Sequence, residues 1–247
     1  MGYRITHYSK LIGHGILIVL FTLYMHKVFA TKNSSLFMNV YLKLEPNNTV
    51  EKLIGDFNAY LNQQGFLSQY QITPFFPTHP LHITLYLTHY PQRNLSVIMH
   101  DLPLIAAQNK KIRLQSKDIE VSSSGYVLLS IRKNQELQKL SDHLVLKLMS
   151  LRDKKAPIPI WALQNPARVE SFQHYGSPNV FRNFSPHLSL MVIDEQESYW
   201  HAQLNRLIQR FAVKKSIAVN TIATAIGIGI ADAQGQIIKE IGSFPLS

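Results

Sequence analysis

The chain contains no cysteine, which excludes disulfides, thiolate nucleophiles and cysteine metal sites. Acidic residues are scarce, 15 against 25 Lys and Arg, and the formal charge is +10. Such an excess favours anionic partners: phosphates, nucleic acid or an anionic membrane surface. Residues 1–30 carry no acid at all. A long hydrophobic run is also missing: the longest, Gly15 to Met25, is bracketed by His14 and His26-Lys27. A membrane span needs about 20 apolar residues. Sequence repeats and a regular βαβ alternation are absent, which argues against a solenoid or a parallel doubly wound sheet.

What is present at the start has a plan. Arg4 and Lys10 form a basic beginning, the short apolar run follows, and Val28-Phe29-Ala30 offers small residues before a cut after Ala30. This is the order of a secretory signal peptide, with an uncleaved signal anchor as the alternative. Either one implies export, to the periplasm or outside the cell, or anchoring to the membrane by this segment. Removing residues 1–30 takes away Arg4, Lys10 and Lys27 and no acid, so +10 becomes +7. Residues 31–247 are then expected to form the folded body. The composition, 46% hydrophobic and 16% charged, suits an ordinary globular core.

Strands and helices mix along this body, which points to an α+β class with partly antiparallel sheet. "LFMNVYLKLEP" (36–46) has strand composition. Asn48 or Thr49 can cap a helix that stops at Gly65. Residues 94–110 read as a short helix broken near Pro103, and 111–133 as two strands with a turn at Ser122–Gly125. Leu137, Leu140, Leu144, Leu148 and Leu151 mark an amphipathic helix, and Trp200, Leu204, Leu207 and Phe211 mark another. Residues 153–183, rich in Pro, Asn and Gly, read as a mostly irregular connection. The tail reads as strands with a turn at Ala233–Gly235.

Two strands share an unusual pattern. "LHITLYL" (81–87) and "FSPHLSLMV" (184–192) each place a histidine and a hydroxyl two residues apart, His82 with Thr84 and His187 with Ser189. In a strand, residues i and i+2 share a face. The bare spacing is weak, since "HYS" at His7–Ser9 matches it by composition alone. The strand context and its duplication set the other two apart. Alternation puts Tyr86 on the face of His82 and Thr84, and puts Leu188, Leu190 and Val192 opposite His187. Two facing imidazoles suit phosphodiester cleavage without a metal. Histidine titrates near neutrality, so one ring can accept a proton while the other donates one. The hydroxyls can donate to the non-bridging oxygens. A zinc site would need more ligands than these strands carry. His79, His89 and His174 are the further histidines that could contribute to one; His79 and His89 read as loop or surface residues, and Phe75 and Phe76 as core packing.

With these residues in view, the sequence resembles the 2H phosphoesterase superfamily, which includes the 2′–5′ RNA ligase-like proteins. His82-Ile83-Thr84-Leu85 and His187-Leu188-Ser189-Leu190 match its two H-x-[ST]-x motifs. "YGSPNVFRNFSPHLSL" (175–190) and "IGIGIADAQGQIIKEIG" resemble its second-motif segment and its last strands. The resemblance spans roughly residues 36–243. It implies two related lobes of mostly antiparallel sheet with helices packed outside and the motifs in a central cleft. It also implies no cofactor, no metal, and a nucleotide or RNA-type phosphodiester such as a 2′,3′-cyclic phosphate as substrate. His82 and His187 are the expected catalytic pair, with Thr84 and Ser189 on the phosphate. Tyr86, Tyr175 and Arg182 are candidate substrate contacts. A stable protein partner is not implied, and membrane contact is expected only if residues 1–30 are retained.

Overall fold

The structure, a computed structural model, describes residues 34–193 and 199–247. The expected signal segment, residues 1–30, lies outside them. Seven strands form the frame: β1 (Ser35–Leu44), β2 (His82–Pro91), β3 (Ile112–Val121), β4 (Tyr126–Ile131), β5 (His187–Val192), β6 (Asn220–Ala231) and β7 (Ile237–Pro245). The hydrogen-bonded path runs β2-β1-β6-β3-β4-β5, with β7 also paired to β6, and every pairing is antiparallel. One edge of β6 is shared: Asn220–Ala223 pairs with β3, and Ala225–Ala231 with β7. Strand β3 likewise divides its length. Ile112–Gln115 pairs with β6, while Ser116 and Ile119–Val121 pair with β4. The sheet therefore splits into two lobes, β2-β1-β6-β7 and β3-β4-β5, joined through β3. This is the expected α+β architecture.

The motif strands β2 and β5 stand at opposite ends of the path, yet they pack against each other. A twisted antiparallel sheet that curls this far brings its two outermost strands together.

Among the described residues there are six helices: α1 (Thr49–Gln63), α2 (Phe66–Gln69), α3 (Leu95–Ala107), α4 (Gln135–Leu148), α5 (Pro166–Tyr175) and α6 (Tyr199–Lys214). Asn48 caps α1, its side chain accepting from Val50 N and Glu51 N at 2.9 and 3.0 Å. Helices α1 and α6 join through the Phe57–Phe211 ring pair, centroids 5.1 Å apart. None of the described helices is long and apolar enough to cross a membrane.

Two expectations need correction. Helix α3 runs through Pro103 rather than breaking there. Its buried face, Ile98, Leu102, Ile105 and Ala106, packs against β6 and β7 and offsets the lost backbone bond. The 153–183 segment is not mostly irregular. It contains α5, started by Asn165 capping Ala167 N and Arg168 N with Pro166 at the first turn, and stopped by Gly176 at φ 75°.

Candidate active site

Strand β1 alternates Met38, Val40 and Leu42 toward the helices with Asn39, Tyr41 and Lys43 toward the cleft. The first three are wholly buried in the main core. Register places Lys43 beside His82 and Tyr41 beside Thr84. In the second lobe Ser130 stands beside His187 and Leu128 beside Ser189. Each histidine and its hydroxyl residue thus share the cleft face, as i, i+2 geometry requires.

Both motif strands then carry a bulge at the same place. The register shifts where Val40 opposes Tyr86 and Tyr41 opposes Thr84, leaving Leu85 as the extra residue. Likewise Val127 opposes Met191 and Leu128 opposes Ser189, leaving Leu190 extra. The fourth motif residue is bulged out of both ladders. The two spare carbonyls find partners elsewhere: Leu85 O accepts from Ser141 Oγ at 3.1 Å, and Leu190 O from Phe75 N at 2.8 Å.

A bulge reverses the alternation beyond it. Tyr86 therefore does not line the cleft. It faces the helices, is wholly buried in the core and donates its hydroxyl to Tyr175 O. Met191 is its counterpart in β5, also fully buried. Leu87 takes the cleft side opposite Asn39, and Val192 pairs with Tyr126, so Val192 does not share the face of Leu188.

The two histidines are held alike. His82 Nδ1 bonds Pro80 O at 2.9 Å, and His187 Nδ1 bonds Ser185 O at 2.7 Å; each carbonyl belongs to residue i−2. A carbonyl only accepts, so Nδ1 carries the proton in both rings. Burial pulls the pKa of each below its ordinary value. For His82, the Pro80 carbonyl opposes that shift, the neighbouring His187 adds to it, the Gly235 carbonyl opposes it, and His79 adds to it. For His187, the Ser185 carbonyl and the Glu120 carboxylate oppose it. Strands β2 and β5, which carry the two rings, pack against each other.

Other residues build the floor. Asn39, fully buried, donates to Thr84 Oγ1 at 2.8 Å and to Gly235 O at 3.3 Å. Since the Thr84 oxygen accepts there, its own O–H is directed elsewhere. The ring of Tyr41 meets His82 edge-on, centroids 5.4 Å apart and 64° between planes. The Tyr41 hydroxyl donates to Glu240 at 2.8 Å, and Lys43 Nζ reaches the same carboxylate at 2.9 Å. Gly227 makes room: a Cβ there would lie 2.4 Å from the Tyr41 ring. Asn39 and Tyr41 were missed from sequence, although both stand on the polar phase of β1.

Tyr175 and Arg182 have partners of their own. Tyr175 packs on Phe181, centroids 4.4 Å apart, at the core rim. Arg182 pairs with Glu170 of α5 at 2.5 Å. His79 lies in the loop before β2; its Nδ1 is 3.3 Å from Ile237 O and its ring meets Phe75 edge-on. Among the described residues, no group of three His, Cys, Asp or Glu could hold a metal ion.

No family model and no curated protein sequence matches the chain. Solved structures do. TT0787 of Thermus thermophilus is similar at TM-score 0.53 and 12% identity, over 85% of this chain and 97% of that one. The E. coli protein LigT in its apo form is similar at TM-score 0.51 and 13% identity, over 86% of this chain and 98% of that one. The likeness is one of fold, carried nearly end to end along both relatives.

Proposed function

We propose that the protein is a phosphodiesterase that needs no metal and acts on a 2′,3′-cyclic phosphate or a related RNA-type phosphodiester. His82 and His187 are the acid–base pair, and Thr84 and Ser189 hold the phosphate. The observation that supports this reading is the duplicated arrangement itself: two imidazoles, each held through Nδ1 by the carbonyl two residues before it, each with a hydroxyl residue on its cleft side.

The chemistry follows from that arrangement. Neutral Nε2 of one histidine takes a proton from the attacking water as its oxygen bonds phosphorus. The other histidine, protonated, gives its Nε2 proton to the ribose oxygen as the P–O bond of the ring breaks. Charge gathers on the non-bridging oxygens, where hydroxyl donors stabilise it. The two roles interchange with the direction of reaction. The lowered pKa values favour the neutral base, and an anionic phosphate in the cleft favours protonation of its partner.

Hydrolysis of 2′,3′-cyclic nucleotides in the presence of chelator tests this. His82→Ala and His187→Ala should each lower kcat by roughly 10²- to 10⁴-fold. Activity retained in both variants would refute the reading. A second reading, a non-catalytic binder of nucleotides or RNA ends in the same cleft, predicts saturable binding without turnover. We further propose an exported setting, from the basic start and short apolar run of residues 1–30; recovery of the protein outside the cytoplasm of its host tests it, and a start at Thr31 or at Met1 distinguishes a cleaved signal from a retained anchor.

A further inference from the structure

Away from the cleft, the segment between α4 and α5 turns apolar side chains into water. Ile160 is 84% exposed, Leu163 54% and Trp161 42%. The turn is firmly built. Ala162 is wholly buried beneath it, its N–H bonds Pro159 O at 2.9 Å, and Leu163 N bonds Ile160 O at 3.1 Å. Burial of these side chains within the fold does not account for the turn, because they face outward.

Cations surround it. Lys154 and Lys155 precede it and are exposed, and the Arg168 guanidinium lies 5.3 Å from the Trp161 ring centroid. A cavity of about 250 Å³ opens alongside, lined by Arg152, Lys154, Ile158 and Phe172 among others. Arg152 donates from its guanidinium to the carbonyls of Met149 and Gln173, at 2.9 and 3.0 Å. Asp153 is the carboxylate on this rim. The Lys155 N–H and the Ser35 hydroxyl hold its pKa below the ordinary value.

That last contact has a topological meaning. Ser35 opens β1, so the start of that strand lies beside Asp153 on this face. His82 sits at the far end of β2 from His89, whose carbonyl accepts from Asp153 N at 2.7 Å. Seven residues of strand separate the two ends, about 23 Å.

We propose that this face docks on an anionic lipid bilayer, with Ile160, Trp161 and Leu163 entering the interface and Lys154, Lys155 and Arg168 meeting the headgroups. Aromatic and aliphatic side chains ringed by Lys and Arg are the composition that binds such an interface. Docked there, the cleft end of β2 stays away from the surface.

The chain has two tryptophans, and Trp200 is buried. The full chain carrying Trp200→Phe thus reports on Trp161 alone. The probe is vesicles of brominated phosphatidylcholine, with or without one-third phosphatidylglycerol. We expect a blue shift and bromine quenching of Trp161 with the anionic vesicles, and loss of iodide quenching. Lys154→Glu with Lys155→Glu should raise the lipid needed for half-quenching at least tenfold, roughly as expected for reversing two surface charges. Ile160→Ser with Leu163→Ser should do the same. Co-sedimentation with vesicles while Trp161 stays open to iodide would overturn the proposal, as would no binding. A lipid-free blue shift that grows with protein concentration alongside dimer formation would assign the face to a second copy and overturn it too.

Discussion

Asn39 gives the sharpest test of how the cleft is organised. Its Nδ2 lies 2.8 Å from Thr84 Oγ1 and 3.3 Å from Gly235 O, and its own Oδ1 is buried without a partner. Asn39→Ala removes the donor that occupies the Thr84 oxygen. The hydroxyl then rotates among three staggered positions, of which one aims its hydrogen as before. Restricting one rotor to one of three wells is worth RT ln 3, about 0.7 kcal/mol, so kcat should fall roughly threefold, and by no more than about tenfold. Thr84→Val removes the phosphate donor outright and should cost about 10²- to 10³-fold. If Asn39 acts through Thr84, the two effects do not multiply. Asn39→Ala placed in Thr84→Val should leave kcat within about twofold of Thr84→Val alone. The assay is steady-state hydrolysis of a 2′,3′-cyclic nucleotide by the two single variants, the double variant and the wild type. The reasoning fails if Asn39→Ala costs the same factor in both backgrounds. Stability is a separate readout. Two buried hydrogen bonds at about 1 kcal/mol each, less relief of the orphaned oxygen, should lower Tm by a few degrees.

Burial lowers both histidine pKa values, so between those values and the ordinary 6.5 the unfolded chain binds more protons than the folded one. Stability should accordingly drop as pH falls through 6.5 and level off below the folded values. His82→Gln or His187→Gln should flatten that part of the Tm–pH curve, and an unchanged slope in both would contradict the burial argument. Gly227→Ala puts a methyl group 2.4 Å from the Tyr41 ring. It should cost about 1–3 kcal/mol in chemical denaturation and lower kcat by shifting the ring beside His82. Tyr86→Phe should cost about 1 kcal/mol while leaving KM unchanged, since its hydroxyl serves the core; a raised KM would return Tyr86 to the cleft.

The histidine–hydroxyl pairs were legible because period 2 needs only a short span, and the bulges fall just beyond it. The bulges themselves were not legible. Leu85 and Leu190 are apolar residues that suit a ladder or a bulge equally, and the count that makes them extra belongs to the partner strands. Tyr86 was misplaced for that reason alone. Asn39 and Tyr41 alternate with Met38, Val40 and Leu42 as in any half-buried strand, so nothing local marks them. Helix α5 was overlooked although Asn165, Pro166 and Gly176 signal its ends. Its flanking prolines and weak periodicity hid what the caps declared. Pro103 shows the converse, a strong local signal overruled by packing.

The strand path has a dimensional consequence. His82 and His187 sit at the two ends of one six-strand ladder, so their separation reflects the accumulated twist of five pairings together with the contact of β2 on β5 that closes it. The joint is β3 at Ser116, where the strand changes partners and where Ser116 Oγ bonds both Ile217 O and Val219 N. The molecule is shaped like a caliper. A small change of angle at this pivot, several strands from either ring, resets the gauge between them.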